Sequence, residues 1–145
     1  MERSTGSVEL NEAFAQQMSL CDLLERMADS LPAGVDRQQS LMLARLVGPL
    51  LRGAHRTEER YLFPRLLVAH TDGDELVERL RLEHIEDTCF AEEVQEELML
   101  LGQGRPVLAP EATGYMLRGF FECIRRRVRH ERELLARLEL RTGCC

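Results

Sequence analysis

The sequence predicts an all-α protein, an up-down-up-down antiparallel four-helix bundle that forms a single domain over residues 1–145. Leu, Arg and Glu dominate the composition, and all three residue types favour helix. Apolar residues recur with the helical period of about 3.6 residues along four long segments. The connections between these segments are short, so consecutive helices are expected to run antiparallel.

Proline, glycine and aspartate mark the limits of the first two predicted helices. The first runs from about Val8 to Ser30 and ends at Pro32-Ala33-Gly34. Asp36 can cap the second, which covers about Arg37 to His70. Pro49 lies inside that stretch and is expected to kink or break it. A three-helix bundle with a broken second helix is therefore the structural alternative.

Two further turn signals bound the remaining helices. Thr71-Asp72-Gly73-Asp74 combines a turn with a helix cap, and the third helix is expected from about Glu75 to Leu101. Gly102-Gln103-Gly104-Arg105-Pro106 breaks the chain again, and the fourth helix covers about Pro110 to Arg141.

Charge and hydropathy exclude two classes of partner. The net charge of −6 argues against nucleic acid as the main partner. No apolar run approaches the ~18 residues of a membrane-spanning helix, so no membrane partner is expected. The first residues, Met1-Glu2-Arg3-Ser4, lack the apolar segment of a secretory signal, which favours a cytoplasmic location.

The cysteines do not suggest a disulfide framework. Their number, five, is odd, and the chain contains no CxxC pair. Cys144 and Cys145 end the chain, where they are expected to be exposed, and we assign no thiolate site.

Each predicted helix carries polar residues on its apolar face. They are Gln17; His55 and Glu58, with Glu59 at the edge; His84 and Asp87; and Arg127 and Glu131, with His130 on the flank. Counted from the turns, they lie near one level, so they are expected to meet in a central slab between apolar layers. Burying charge costs several kcal/mol unless the groups are paired or hold a metal. The slab is therefore either a metal site or a metal-free polar cluster.

Three of the predicted helices carry recognisable motifs, of which the longest is Glu58-Glu59-Arg60-Tyr61-Leu62-Phe63-Pro64 on the second. This motif looks like the Glu-Glu-x-x-Leu-Phe-Pro signature of the hemerythrin-like family of cation-binding bundles, the HHE domain, which the chain resembles. Glu83-His84 looks like the Glu-His pair of its third helix, and Arg129-His130-Glu131 occupies the zone of the fourth-helix ligands.

The resemblance implies a non-haem iron centre, a di-iron pair in the family, held by histidines and bridging carboxylates. It also implies binding of oxygen or nitric oxide, iron handling or redox sensing, with a small diatomic ligand as partner. The metal ligands expected here are His55, Glu58, His84, His130 and Glu131.

The chain departs from the family's ligand pattern. The expected histidine positions fall on Gln17, Ala54 and Arg127. His55 is one residue from the second of these, although the helical periodicity still turns it inward. The fourth helix offers either Glu131, with Arg127 four residues before it, or His130, followed by leucines. Either choice loses one ligand.

Two functional hypotheses follow. In the first, the five ligands hold one or two iron ions for binding or sensing, without enzymatic turnover. In the second, no metal is bound: Arg127 replaces the cation, pairing with Glu131 and with Glu58 or Asp87, and Gln17 and Glu59 complete the network. That protein would be a regulatory or interaction module with a protein partner or as a homodimer. A ferritin-like di-iron oxidase is disfavoured, because the chain lacks Glu-x-x-His pairs.

Overall fold

Five α-helices make up the chain between residues 2 and 143, the part that the computed structural model describes, with side chains described from residue 6 to 141. They are α1 Glu2–Ser30, α2 Arg37–Tyr61, α3 Phe63–Ala69, α4 Gly73–Gly102 and α5 Pro110–Gly143. The described residues contain no strand, so the predicted all-α class is confirmed.

The four long helices form a ring of neighbours. α1 packs against α2 and α5, and α4 also packs against α2 and α5. The short helix α3 packs mainly against α4. Leucine and phenylalanine side chains fill the centre, among them the fully buried Leu10, Phe14, Leu24, Leu43, Phe63, Leu80, Phe120 and Phe121. Burial of these apolar side chains is the main stabilising contribution to the bundle.

The break in the second predicted helix lies at Leu62. Pro49 was expected to kink or break this helix, and the break does not occur there. α2 continues through Pro49, which is exposed, so that a carbonyl deprived of its helical partner can bond to water. α2 ends at Tyr61 because Pro64 cannot donate to the preceding turn. Pro64 instead lies in the first turn of α3, where no N–H is needed.

The other helix limits differ from prediction by a few residues. The Asp36 side chain caps α2 as predicted, accepting a hydrogen bond of 3.0 Å from the N–H of Gln39. α4 begins at Gly73, inside the predicted turn. A Cβ at Gly73 would lie 2.7 Å from the carbonyl oxygen of Leu66, so only glycine allows this close approach.

Among the residues that the structure describes, no helix combines the length and apolar character needed to cross a bilayer. Three cysteines fall in the described region as free thiols: Cys21 is buried, and Cys89 and Cys123 are exposed. The prediction for Cys144 and Cys145 lies outside the described residues.

Candidate metal centre

Seven of the buried polar side chains are the ones predicted to form the central slab, and they come from all four long helices. They are Gln17 on α1, His55 and Glu58 on α2, His84 and Asp87 on α4, and Arg127 and Glu131 on α5. The spacings of three and four residues place each pair on one helix face. Their contacts, described below, confirm that they meet in a single polar slab.

His84 lies between three carboxylates. Its Nε2 is 2.9 Å from Oε1 of Glu58 and 3.3 Å from Oε2 of Glu131. On the other side of the ring, Nδ1 lies 2.9 Å from Oε2 of Glu59. Glu58, His84 and Glu131 each offer one ligand atom, all within 4.8 Å of one another, so this cluster can hold a metal ion.

Arg127 binds the same carboxylates from another direction. Its Nη1 donates to Oε1 of Glu131 at 2.8 Å and to Oε1 of Glu58 at 3.1 Å. Its Nε donates to Oδ2 of Asp87 at 2.7 Å, and its Nη2 donates to Oε1 of Gln17 at 2.6 Å. One buried guanidinium therefore satisfies three carboxylates and an amide, as charge-assisted bonds in a fork geometry allow.

Gln17 connects α1 to the cluster. Its Nε2 donates to Oε2 of Glu58 at 2.7 Å and to the carbonyl of Ala13 at 3.1 Å. Both carboxylate oxygens of Glu58 are thereby bonded, so the orientation of Glu58 is fixed from two sides.

His55 is buried next to His84 but is differently connected. The two rings stack with centroids 3.9 Å apart and an angle of 3° between their planes. Nε2 of His55 is a buried polar atom that makes no hydrogen bond. The Phe63 ring also stacks on His84, with centroids 5.3 Å apart. Sequence analysis identifies Phe63 only as part of the Leu-Phe-Pro motif and does not predict this contact.

The two imidazoles have opposite pKa shifts. Burial lowers the pKa of His84, but its bonds to Glu131 and Glu58 outweigh burial and leave the pKa raised to about 9. Burial and the neighbouring charge of His84 lower the pKa of His55 to about 3. At neutral pH the metal-free protein therefore holds a proton on His84, while His55 is neutral and keeps a lone pair.

The two glutamates of the slab, Glu58 and Glu131, also differ in the direction of their pKa shifts. Burial and the charge of Glu58 raise the pKa of Glu131 to about 7. Burial acts in the same direction on Glu58, but the bond to His84 and the charge of Arg127 outweigh it and lower its pKa. Of these two adjacent carboxylates, Glu131 therefore keeps a proton to higher pH than Glu58 does.

Two predicted site residues lie outside the buried slab. His130 is exposed and is not brought to Glu58, His84 and Glu131; it lines a cleft between α4 and α5. This cleft, of about 500 Å³, is lined by Glu83, Glu86, Asp87, Phe90, Cys123, Arg126, Arg127 and His130. Glu59, with 40% of its side chain exposed, still reaches His84 from the edge of α2.

The fold and the site together define a helix bundle with a buried carboxylate and imidazole cluster able to hold a cation. The family model of the hemerythrin HHE cation binding domain matches residues 12–138, most of the chain. The chain belongs to this family, and the resemblance found in its motifs is confirmed. No curated protein and no solved structure matches the chain significantly.

Proposed function

We propose that this hemerythrin-family protein holds a non-haem iron ion between Glu58, His84 and Glu131 and uses it to bind or sense oxygen, nitric oxide or redox state. The observation that carries this proposal is the convergence of three ligand-type side chains from three helices, with their ligand atoms within 4.8 Å of one another. All three side chains are buried, and the polar slab they belong to lies within the hydrophobic core of the bundle.

The donor set fits iron. Imidazole and carboxylate are ligands that iron accepts, and the two carboxylates offset the charge of a divalent ion. Nε2 of His55 is buried and makes no hydrogen bond, which costs about 1–3 kcal/mol. His55 is not among the residues whose ligand atoms lie within 4.8 Å of one another, so it would join the site only if its ring moved. His130 is left out of the proposed ligand set because it is exposed.

The residues around the ligands orient them. Glu59 accepts a hydrogen bond from Nδ1–H of His84, which leaves Nε2 to face Glu58 and Glu131. Gln17 holds the other oxygen of Glu58. Because His84 binds a proton in the metal-free protein, metal binding has to release that proton.

A bound iron would supply a redox-active centre able to bind a diatomic molecule. The α4/α5 cleft supports a route for such a molecule, since Asp87 and Arg127 line the cleft and Arg127 contacts Glu58 and Glu131. The proposal includes an up-down-up-down course of the long helices, which the short connections and the ring of neighbouring helices support.

Iron content tests the proposal. Untagged protein produced with iron is expected to carry iron by elemental analysis and to change its absorption spectrum on addition of nitric oxide. His84→Ala should weaken iron binding by more than the ~10–100-fold that loss of an outer partner costs, because a ligand is removed. His70→Ala, a change at the end of α3, is the matched control and should retain the wild-type iron content.

The same experiment decides between this proposal and a metal-free module. The observation that favours the second function is Arg127, which satisfies Glu58, Asp87 and Glu131 without a metal. Wild-type protein that carries no iron, and whose melting temperature does not change with a chelator, would contradict the iron proposal. The function would then lie on the protein's surface, toward a protein partner or a second copy.

A further inference from the structure

We infer that the guanidinium of Arg127 occupies the place of a second cation in this centre. Glu58 and Glu131 each contact both Nε2 of His84 and Nη1 of Arg127. Glu131 presents Oε2 to Nε2 of His84 at 3.3 Å and Oε1 to Nη1 of Arg127 at 2.8 Å. The carboxylate pair therefore has two cation positions, and a side chain of the protein fills one of them.

The groups around the guanidinium form an oxygen-lined cage. The four long helices each contribute an oxygen within hydrogen-bond distance of Arg127: Gln17 Oε1, Glu58 Oε1, Asp87 Oδ2 and Glu131 Oε1. An oxygen-only set of this kind suits a hard divalent cation such as Mn²⁺. These oxygens surround three different nitrogens of the guanidinium, and Asp87 is not in the group of ligand atoms that lie within 4.8 Å of one another. Without the arginine, a second ion would therefore bind once the side chains of Asp87 and Gln17 move inward.

Charge balance agrees with one ion beside Arg127. Glu58, Asp87 and Glu131 bring three negative charges when ionised, and the guanidinium is always protonated. The remaining charge matches a single divalent ion on the His84 side. Glu59 adds little to this balance because its side chain is 40% exposed and is therefore screened by solvent.

Manganese binding tests this inference, which rests on the proposed metal centre. The quantity compared is the Mn²⁺ content of the variants and of the wild type. Arg127→Ala and Arg127→His remove the permanent charge and are each expected to take up one more Mn²⁺ per chain than the wild type, by elemental analysis after desalting. Added Mn²⁺ should also raise their melting temperatures. Arg127→Lys keeps the charge, and Arg129→Ala changes an exposed position; both should bind the wild-type amount.

The outcomes separate this inference from the proposed function. Wild-type protein without metal would contradict the iron proposal. The inference about Arg127 would still stand if Arg127→Ala bound one ion more than the wild type. Equal Mn²⁺ content in folded wild type and Arg127→Ala overturns the inference, as does a wild type that takes two ions. Failure of both neutral variants to refold in Mn²⁺ also overturns it, because a cation should stabilise the vacated cage.

Discussion

Arg127→Met is expected to lower the free energy of unfolding of the metal-free protein by about 3–5 kcal/mol, the cost of removing one partner from a buried ion pair. Arg127 is 4% exposed, and its guanidinium is bonded to Glu58, Asp87 and Glu131. Methionine fills much of the same volume but leaves these carboxylates without their cation. The loss is a large fraction of the ~5–15 kcal/mol that stabilises a typical domain.

Urea denaturation in the presence of a chelator measures this effect. Arg129→Met is the matched control, since Arg129 is on the same helix and exposed; such a surface change usually stays within ±0.5 kcal/mol or so. An Arg127→Met variant that loses less than about 1 kcal/mol, no more than a typical exposed ion pair, would show that the guanidinium does not hold the slab together.

Raising the pH from 7 to 9 is expected to destabilise the metal-free protein by roughly 2 kcal/mol through His84. Its pKa is about 9 in the folded protein and 6.5 when unperturbed, because Glu131 and Glu58 hold its proton. In this range the folded state binds more protons than the unfolded state. The stabilisation is therefore complete below pH 6.5 and is lost as the pH rises through about 9.

Other groups confine the clear effect of His84 to this range. Below pH 7 two buried groups oppose each other. His55, whose pKa is lowered to about 3, makes stability rise with pH, whereas Glu131, whose pKa is raised to about 7, makes it fall. From about pH 8 upward the thiol of Cys21 adds a smaller loss of stability, because burial raises its pKa from 9.0 to about 12 and it ionises first in the unfolded chain.

Chemical denaturation of metal-free protein at several pH values between 7 and 9 checks the effect of His84. His84→Gln removes the titrating group, so the stability of that variant should change little over this range. A wild type whose stability is constant or rises between pH 7 and 9 would show that His84 does not hold a proton between Glu58 and Glu131. Iron affinity should have the opposite dependence and rise with pH, since the ion competes with that proton.

Helical periodicity is sufficient to predict that the residues of the slab are buried and to predict most of the contacts between them. Glu58, Asp87, Arg127 and Glu131 were all placed on apolar faces, and the predicted pairing of Arg127 with Glu131 four residues later is present. Position along a helix is fixed by sequence counting, and short turns limit how far neighbouring helices can shift. Residues at one level therefore had to meet.

Features that depend on helix rotation or side-chain reach were not predictable. The stacking of His55 on His84 depends on how α2 and α4 are rotated about their axes. The spacing of residues does not determine this rotation. His130 lay on the flank of the apolar arc, and a small rotation decides whether such a residue enters the core or, as here, faces the cleft. The chain breaks before Pro64 and not at Pro49 although both prolines are exposed, so the periodicity of the sequence could not choose between them.

Anomalous diffraction at the iron absorption edge, from crystals of untagged protein loaded with iron, tests the central claim most directly. We expect a single iron peak between Glu58, His84 and Glu131, with Arg127 still bonded to Glu131 beside it. The absence of a peak in the core, or iron only at a surface position such as the cleft beside His130, would contradict the proposed centre.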